Sequence, residues 1–347
     1  MFNSKTVFIL GAGASHEFGL PLGTELAKRI LQMMPHVNQF GQMEGSYDKE
    51  LFASILEEQT SAYDILQAAT RIRQGIPLRN SIDDFLDLNL NHKAIMQLGK
   101  AAIVKAIAEA EQKSNLGKAV DPATGSVDFS KLNSNWLLKF VRMLRQTGPD
   151  LLLDNVAFVS FNYDRSLELF LFSALQTLYS FSASEASNFV NKIAIVHPYG
   201  TIGKLKELGG TFSFGGMLPS GAVGSLAKYS VMRANDIKTY SEETAQLPIE
   251  KEIDSCFNRA ANVIFLGFGF HKQNLSLISK NFKRSATRVF ATACGIALID
   301  QPALSRAIGT MFSDNDIRGG LLSMRTSISE ATCDKFFDEY AFTLREL

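Results

Sequence analysis

A short, continuous apolar run, Thr6–Leu10 (TVFIL), leads directly into Gly11-Ala12-Gly13-Ala14-Ser15. A run without polar alternation suits a strand covered on both faces, and such strands belong to parallel sheets. The two glycines predict a tight turn at the strand's carboxyl end. This start commits the chain to layers of helix on either side of a sheet. Three more runs read the same way: Val156–Phe161, Ile193–His197 and Val263–Leu266. Thr287–Ala291 is a fifth candidate.

Helical patterns separate these runs, so the expected fold is α/β, a Rossmann-like, doubly wound and mostly parallel sheet. The intervals are uneven. Residues 11–155 hold no second sheet-like run and are nearly all helical in pattern. Thr24–Met34, Ile95–Gln112 and Trp136–Gln146 are predicted amphipathic helices. Ser81-Ile82-Asp83-Asp84 reads as a helix start with a capping serine and an acidic residue in the first turn. Gly117–Gly125 is a turn-rich break. The expected organisation is a sheet domain over 1–34 and 149–300, a helical insertion over 35–148 and a helical extension over 301–347. Within that extension Ser329–Leu347 is predicted to be one amphipathic helix. Gly209–Gly224 carries six glycines and reads either as a surface loop or as a mobile flap over a site.

Composition narrows the function classes. The chain of 347 residues has 35 Lys+Arg and 35 Asp+Glu, so it offers no uniform basic field for nucleic acid or for a membrane surface. Hydrophobic residues reach 46%, enough for a large core. Cys256, Cys294 and Cys333 are odd in number and far apart, so neither a disulfide framework nor a four-thiolate zinc site is expected. The first residues lack the order of a signal peptide, and no apolar stretch reaches the ~20 residues of a membrane helix. A soluble, cytoplasmic protein is expected, with no metal.

Polar or glycine residues stand at the carboxyl end of each run, the edge where open α/β sheets bind ligands. The first run ends in Gly11-Ala12-Gly13-Ala14-Ser15, with Gly19-Leu20-Pro21 just beyond. The second ends in Asn162-Tyr163-Asp164, the third in His197-Pro198-Tyr199-Gly200 and the fourth in Gly267-Phe268-Gly269-Phe270. The glycine loop has His16 where a full dinucleotide fingerprint has its third glycine. Read alone, Asn162 and Asp164 are equally helix caps, and Ser15 either bonds a phosphate or caps a helix.

These four motifs, in this order over residues 1 to about 280, resemble the sirtuin-type (Sir2-like) NAD-consuming domains, in particular the divergent bacterial branch of anti-phage defence systems. The resemblance implies cleavage of NAD to nicotinamide and ADP-ribose. It implies Asn162 and His197 as catalytic residues, with Asn162 positioning ribose and water and a neutral His197 accepting a proton. Gly11, Ala12, Gly13, Ser15, Asp164, Gly267, Phe268 and Asn274 are implied NAD-binding residues, and NAD is substrate. The four cysteines of the classical deacylases are missing here, and Leu22-Gly23 stands where they carry Phe-Arg, so water is the favoured acceptor. An ADP-ribosyl or acyl-lysine transferase and a non-catalytic NAD or ADP-ribose sensor are the alternatives. An unrestrained NAD hydrolase would starve its own cell. Gating through self-assembly, or through a separate sensor or ATPase defence protein, is therefore expected.

Overall fold

The computed structural model describes the chain apart from residues 1, 39, 59–60, 145–147, 217–224, 245–246, 280–285, 287 and 313–325. Its centre is a parallel sheet of six strands: β1 (Thr6–Leu10), β2 (Val156–Ser160), β3 (Ala194–Val196), β4 (Asn262–Leu266), β5 (Arg288–Thr292) and β6 (Thr326–Ser329). Their order across the sheet is β3-β2-β1-β4-β5-β6. Thr6 stands opposite Val156 on one side and Asn262 on the other. The chain winds outward from β1 to β3, then crosses back to β4 and winds the other way. The reversal lies between β1 and β4, and a crevice for ligands opens at the carboxyl ends of strands at such a point.

The apolar runs are continuous because both faces are covered. Along β1, Val7 and Ile9 enter one core while Phe8 and Leu10 enter the other. The first core continues into Ile95, Leu98, Ile103 and Ile107 of the helix Lys93–Lys113. The second contains Trp136 and Phe140 of the helix Trp136–Leu144 and Phe336 and Phe337 of the helix Cys333–Glu339. Phe8 stacks on Phe158 with ring centroids 5.4 Å apart and meets Phe140 edge-on at 5.4 Å. Residues 35–148 therefore supply helices to both faces and share their cores with the sheet. They also hold a short antiparallel hairpin, His36–Val37 with Met43–Glu44, which the helical reading of that interval lacks.

Two expectations for the last segment are corrected. The sheet runs on to Ser329, because β6 pairs in parallel with β5, so its domain does not end at 300. The sequence TSIS is only half buried at this edge position and carries no apolar run to betray it. Beyond it stand two helices, Cys333–Glu339 and Ala341–Glu346, separated at Tyr340, in place of one.

The insertion is tied to the sheet by one buried ion pair. Glu111, in the last turns of Lys93–Lys113, is 0% exposed, and Arg165, just past β2, is 1% exposed. The Arg165 Nη2 donates to Glu111 Oε2 at 2.6 Å and its Nε donates to Oε1 at 3.2 Å. The backbone N–H groups of Arg165 and Gly215 donate to the same carboxylate. The remaining guanidinium hydrogens reach the carbonyls of Gly203, Phe212 and Ser213. The described part of the Gly209–Gly224 stretch is thus anchored, with Phe214, Gly215 and Gly216 buried, which does not suit a free flap. Residues 217–224 lie outside the described residues. Replacing Arg165 with Leu leaves the Glu111 carboxylate buried without its cation, at an expected loss of about 3–5 kcal/mol. The check is the urea midpoint at constant slope; a loss under about 1 kcal/mol would show that the pair is dispensable.

Candidate functional site

The loops after β1 and β4 meet backbone to backbone. Gly11 N–H donates to Leu266 O at 3.0 Å and Gly13 N–H donates to Gly267 O at 2.9 Å. A Cβ on Gly11 would lie 2.5 Å from Gly267 O, and one on Gly267 would lie 2.2 Å from Ala14 N. Gly267 also has φ +58°, a left-handed conformation open to glycine at little cost. The resemblance implies that Gly11 and Gly13 meet NAD. What approaches Gly11 and Gly13 in the fold is the chain at Gly267-Phe268. The N–H of Ala14 is also used, donating to Gly11 O at 2.9 Å. The donors of Gly11, Gly13 and Ala14 are therefore committed inside the protein, which corrects the expectation that the loop offers them to an anion. Ala12 begins the short helix Ala12–His16.

Asn162 stands one residue beyond the end of β2 and reaches across to this loop. Its Nδ2 donates to Gly11 O and to Ser15 Oγ, both at 2.9 Å. A carbonyl oxygen can only accept, so the Gly11 contact fixes which end of the amide is NH₂. Both amide hydrogens are then used, and Oδ1 is the acceptor end of the amide. Asn162 does not cap the following helix, Ser166–Tyr179. Asp164 does the local work, its Oδ1 accepting the Ser166 N–H at 3.0 Å. Burial pushes the Asp164 carboxyl above its usual range, against the opposing pull of hydrogen bonds from Ser166 and Ser15. Ser15 thus joins Asn162 and Asp164. A small cavity is lined by Ser15, Asn162, Asp164, Ser166, Phe18 and Trp136. It is far smaller than the ~300–1,000 Å³ of an ordinary ligand site.

His197, one residue past β3, contacts this group through the backbone. Its Nδ1 lies 3.0 Å from Asn162 O and its Nε2 lies 2.8 Å from Glu168 Oε1. The first partner is a carbonyl and the second a carboxylate, so both ring nitrogens face acceptors. Burial alone would depress the pKa of His197. The Glu168 carboxylate, by charge and hydrogen bond, and the Asn162 carbonyl reverse this and hold it above 6.5. Burial would likewise raise Glu168, and the charge and hydrogen bond of His197 hold it below 4.5. The expectation is a neutral imidazole accepting a proton; in the fold both ring nitrogens face acceptors, and His197 anchors the Asn162 backbone. Glu168 was missed from sequence, where a first-turn glutamate reads as a favourable helix-start charge. Its place four residues after Asp164, on the helix leaving β2, is the signal that could have found it.

Two further residues, Phe268 and Asn274, have partners of their own within the protein. Phe268 is buried between Phe161, Phe265 and Phe270, with centroids 5.2, 5.5 and 5.2 Å away, so its ring serves the core instead of a cofactor. Asn274, in the helix Lys272–Ser279, accepts the Tyr199 hydroxyl at 2.7 Å. It joins the strand-end motif of His197–Gly200 and does not reach the glycine loop. Among the described residues no group of three or more His, Cys, Asp or Glu could hold a metal ion. No helix among them is long and apolar enough to cross a membrane.

No family profile matches the chain, and no curated protein is similar to it in sequence.

Two predictions follow from this geometry. Gly267→Ala combines a left-handed φ with a backbone clash and is expected to cost on the order of 2–6 kcal/mol, measured by chemical denaturation. A near-neutral result would mean that the two loops separate freely. The second concerns pH. His197 is held above its unfolded value of 6.5, so its contribution is full below that pH and is lost as pH rises through the raised value. Glu168 is held below 4.5, so its contribution is full above that pH and is lost as pH falls through the lowered value. Melting temperature should therefore decline on the alkaline side of neutrality, and Glu168→Gln should shrink that decline. An unchanged alkaline limb in the variant would remove the ion pair from the account.

Proposed function

We propose that this chain is an NAD glycohydrolase, cleaving NAD with water to nicotinamide and ADP-ribose. The observation that carries the reading is the placing of Asn162. Its amide is oriented by Gly11 O and Ser15 Oγ at the edge beside the sheet's reversal, with Oδ1 left to accept from a ribose hydroxyl or a water. The reading rests also on the resemblance of the four strand-end motifs to Sir2-like domains. The same resemblance places the activity in bacterial anti-phage defence, as an effector that depletes NAD.

The chemistry asks for few groups. The bond between C1′ and the nicotinamide nitrogen breaks, its electron pair neutralises the pyridinium, and the leaving group needs no proton. Water supplies the new C1′–O bond and releases one proton. Asn162 Oδ1 is suited to orient that water or the ribose, and positioning of this kind contributes ~10²–10⁴-fold when proton transfer accompanies it. Asp164, whose carboxyl burial pushes above its usual range, and the His197–Glu168 pair are the titratable groups close by. His197 acts by holding Asn162 in place.

A specific observation also favours a second reading. Three loop N–H donors are committed and both His197 nitrogens are paired, an arrangement compatible with binding of NAD or ADP-ribose without turnover. One experiment separates the two: purified chain with NAD, following nicotinamide, free ADP-ribose and modified protein. Release of nicotinamide with an equal amount of free ADP-ribose, abolished in Asn162→Ala at unchanged melting temperature, is the expected result. Binding with no turnover at any protein concentration would favour the sensor, and ADP-ribose attached to protein would favour a transferase.

A further inference from the structure

The residues that leave β2 alternate between two neighbours. Asn162 and Asp164 turn to the glycine loop, where Ser15 meets both. Tyr163 and Arg165 turn to the insertion. The Tyr163 hydroxyl donates to Asp83 Oδ1 on the helix Ile82–Asp87, and the Arg165 guanidinium holds Glu111. The segment that carries Asn162 is thus gripped on alternate residues by a part of the chain that sequence order places 50 to 80 residues away.

The two grips differ in kind. Glu111 lies in a helix of 21 residues and accepts four hydrogen bonds. Asp83 lies in a helix of six residues whose start is fixed by Ser81 Oγ accepting from Asp84 N–H at 3.1 Å. The capping therefore falls to Ser81 with Asp84, which leaves the Asp83 side chain for Tyr163. The same helix is moored at its far end by Asp87, which accepts from the N–H and the hydroxyl of Ser241, both at 2.9 Å. Burial pushes the Asp83 carboxyl up and the Tyr163 phenol well up. Tyr163 also accepts Ile202 N–H on its backbone oxygen at 3.1 Å, a hold on the peptide that follows it, which leaves the peptide carrying Asn162 to the side-chain contact.

We propose that the Asp83–Tyr163 hydrogen bond is the contact through which the insertion sets Asn162, with Asp83 and Tyr163 as positioning residues for the reaction at that site. The inference rests on the reading of Asn162 given under the proposed function. Loss of the bond leaves the Arg165 anchor and the cores in place and lets the Tyr163 peptide relax. The Asn162 amide then loses its fixed geometry against Gly11 O and Ser15. Moving the helix Ile82–Asp87 would do the same without touching any residue that meets substrate.

The test uses the full chain in four variants: Tyr163→Phe, Asp83→Leu, the two combined, and Asp83→Asn, which keeps an acceptor oxygen for the phenol. NAD cleavage should fall about tenfold in kcat in each of the first two, a loss of the size of one buried hydrogen bond, with KM nearly unchanged. The double variant should be no slower than either single one, and Asp83→Asn should keep most of the rate. Deuterium exchange gives an arm that does not depend on catalysis. Amides of residues 162–166 should exchange faster in Tyr163→Phe while those of β1 keep their protection. Effects that multiply in the double variant, or exchange unchanged at 162–166, would overturn the coupling. If Asp83→Leu fails to fold, Tyr163→Phe, which removes one oxygen, still decides. If the wild-type chain cleaves no NAD, the functional reading falls, and the exchange arm alone decides the coupling.

Discussion

Three glycines hold the two halves of this sheet together. Gly11 and Gly13 leave β1, Gly267 leaves β4, and at the crossover their backbones lie too close for any side chain between them. Ala14 and Ser15 take their places from that contact, and Ser15 in turn receives Asn162. The edge is therefore built from the backbone outward. The strand order opens a crevice there, the glycines bring its two walls together, and only then do the polar side chains find partners. Substituting the polar residues alters what the edge can do, whereas substituting the glycines alters whether it exists.

The alternation of faces within the strands continues beyond them. Val7 and Ile9 look toward the helix Lys93–Lys113 while Phe8 and Leu10 look toward Trp136 and Phe140. Past the last residue of β2 the same parity sends Asn162 and Asp164 one way and Tyr163 and Arg165 the other. A chemically useful pair and a structural pair are thus interleaved in four consecutive residues. The insertion does not sit beside residues 162–165 as a separate module. It occupies the second face of that segment, much as helices occupy the second face of a buried strand.

How much of this could be read from the sequence follows from where the information lies. Five strands were visible because burial on both faces leaves an apolar run with no polar interruption, as in TVFIL. β6 was not visible, because TSIS is half exposed at an edge and its pairing with β5 is decided by the backbone. Asn162, Asp164 and His197 stood out as polar residues at the ends of apolar runs. Their partners did not. Glu168 and Asp83 lie in helix first turns, where an acidic residue already has a local reason to be. Nothing local says that one meets His197 and the other Tyr163. The bonds that define the site connect residues 29 to 151 positions apart, and separations of that size follow from topology rather than from spacing. The motif reading also took the loop glycines for ligand contacts, since a glycine that admits a phosphate and one that admits another backbone look the same in a sequence.

The central position of β1 has a consequence for how this protein is made. Thr6 pairs with Val156 and with Asn262, so the innermost strand is also the first to be synthesised. At roughly 5–20 residues per second, β1 waits on the order of ten seconds to a minute for its second neighbour to leave the ribosome. Until β2 follows, TVFIL is an apolar strand with two unpaired edges, and until β4 follows it still has one. Contacts of such high sequence separation also slow folding, because the intervening chain must be closed before they stabilise anything. The helices of the insertion, made in the meantime and rich in local contacts, are the material with which β1 can be covered while it waits. The chain order of this fold therefore puts residues 35–148 on hand before either neighbour of β1 is complete.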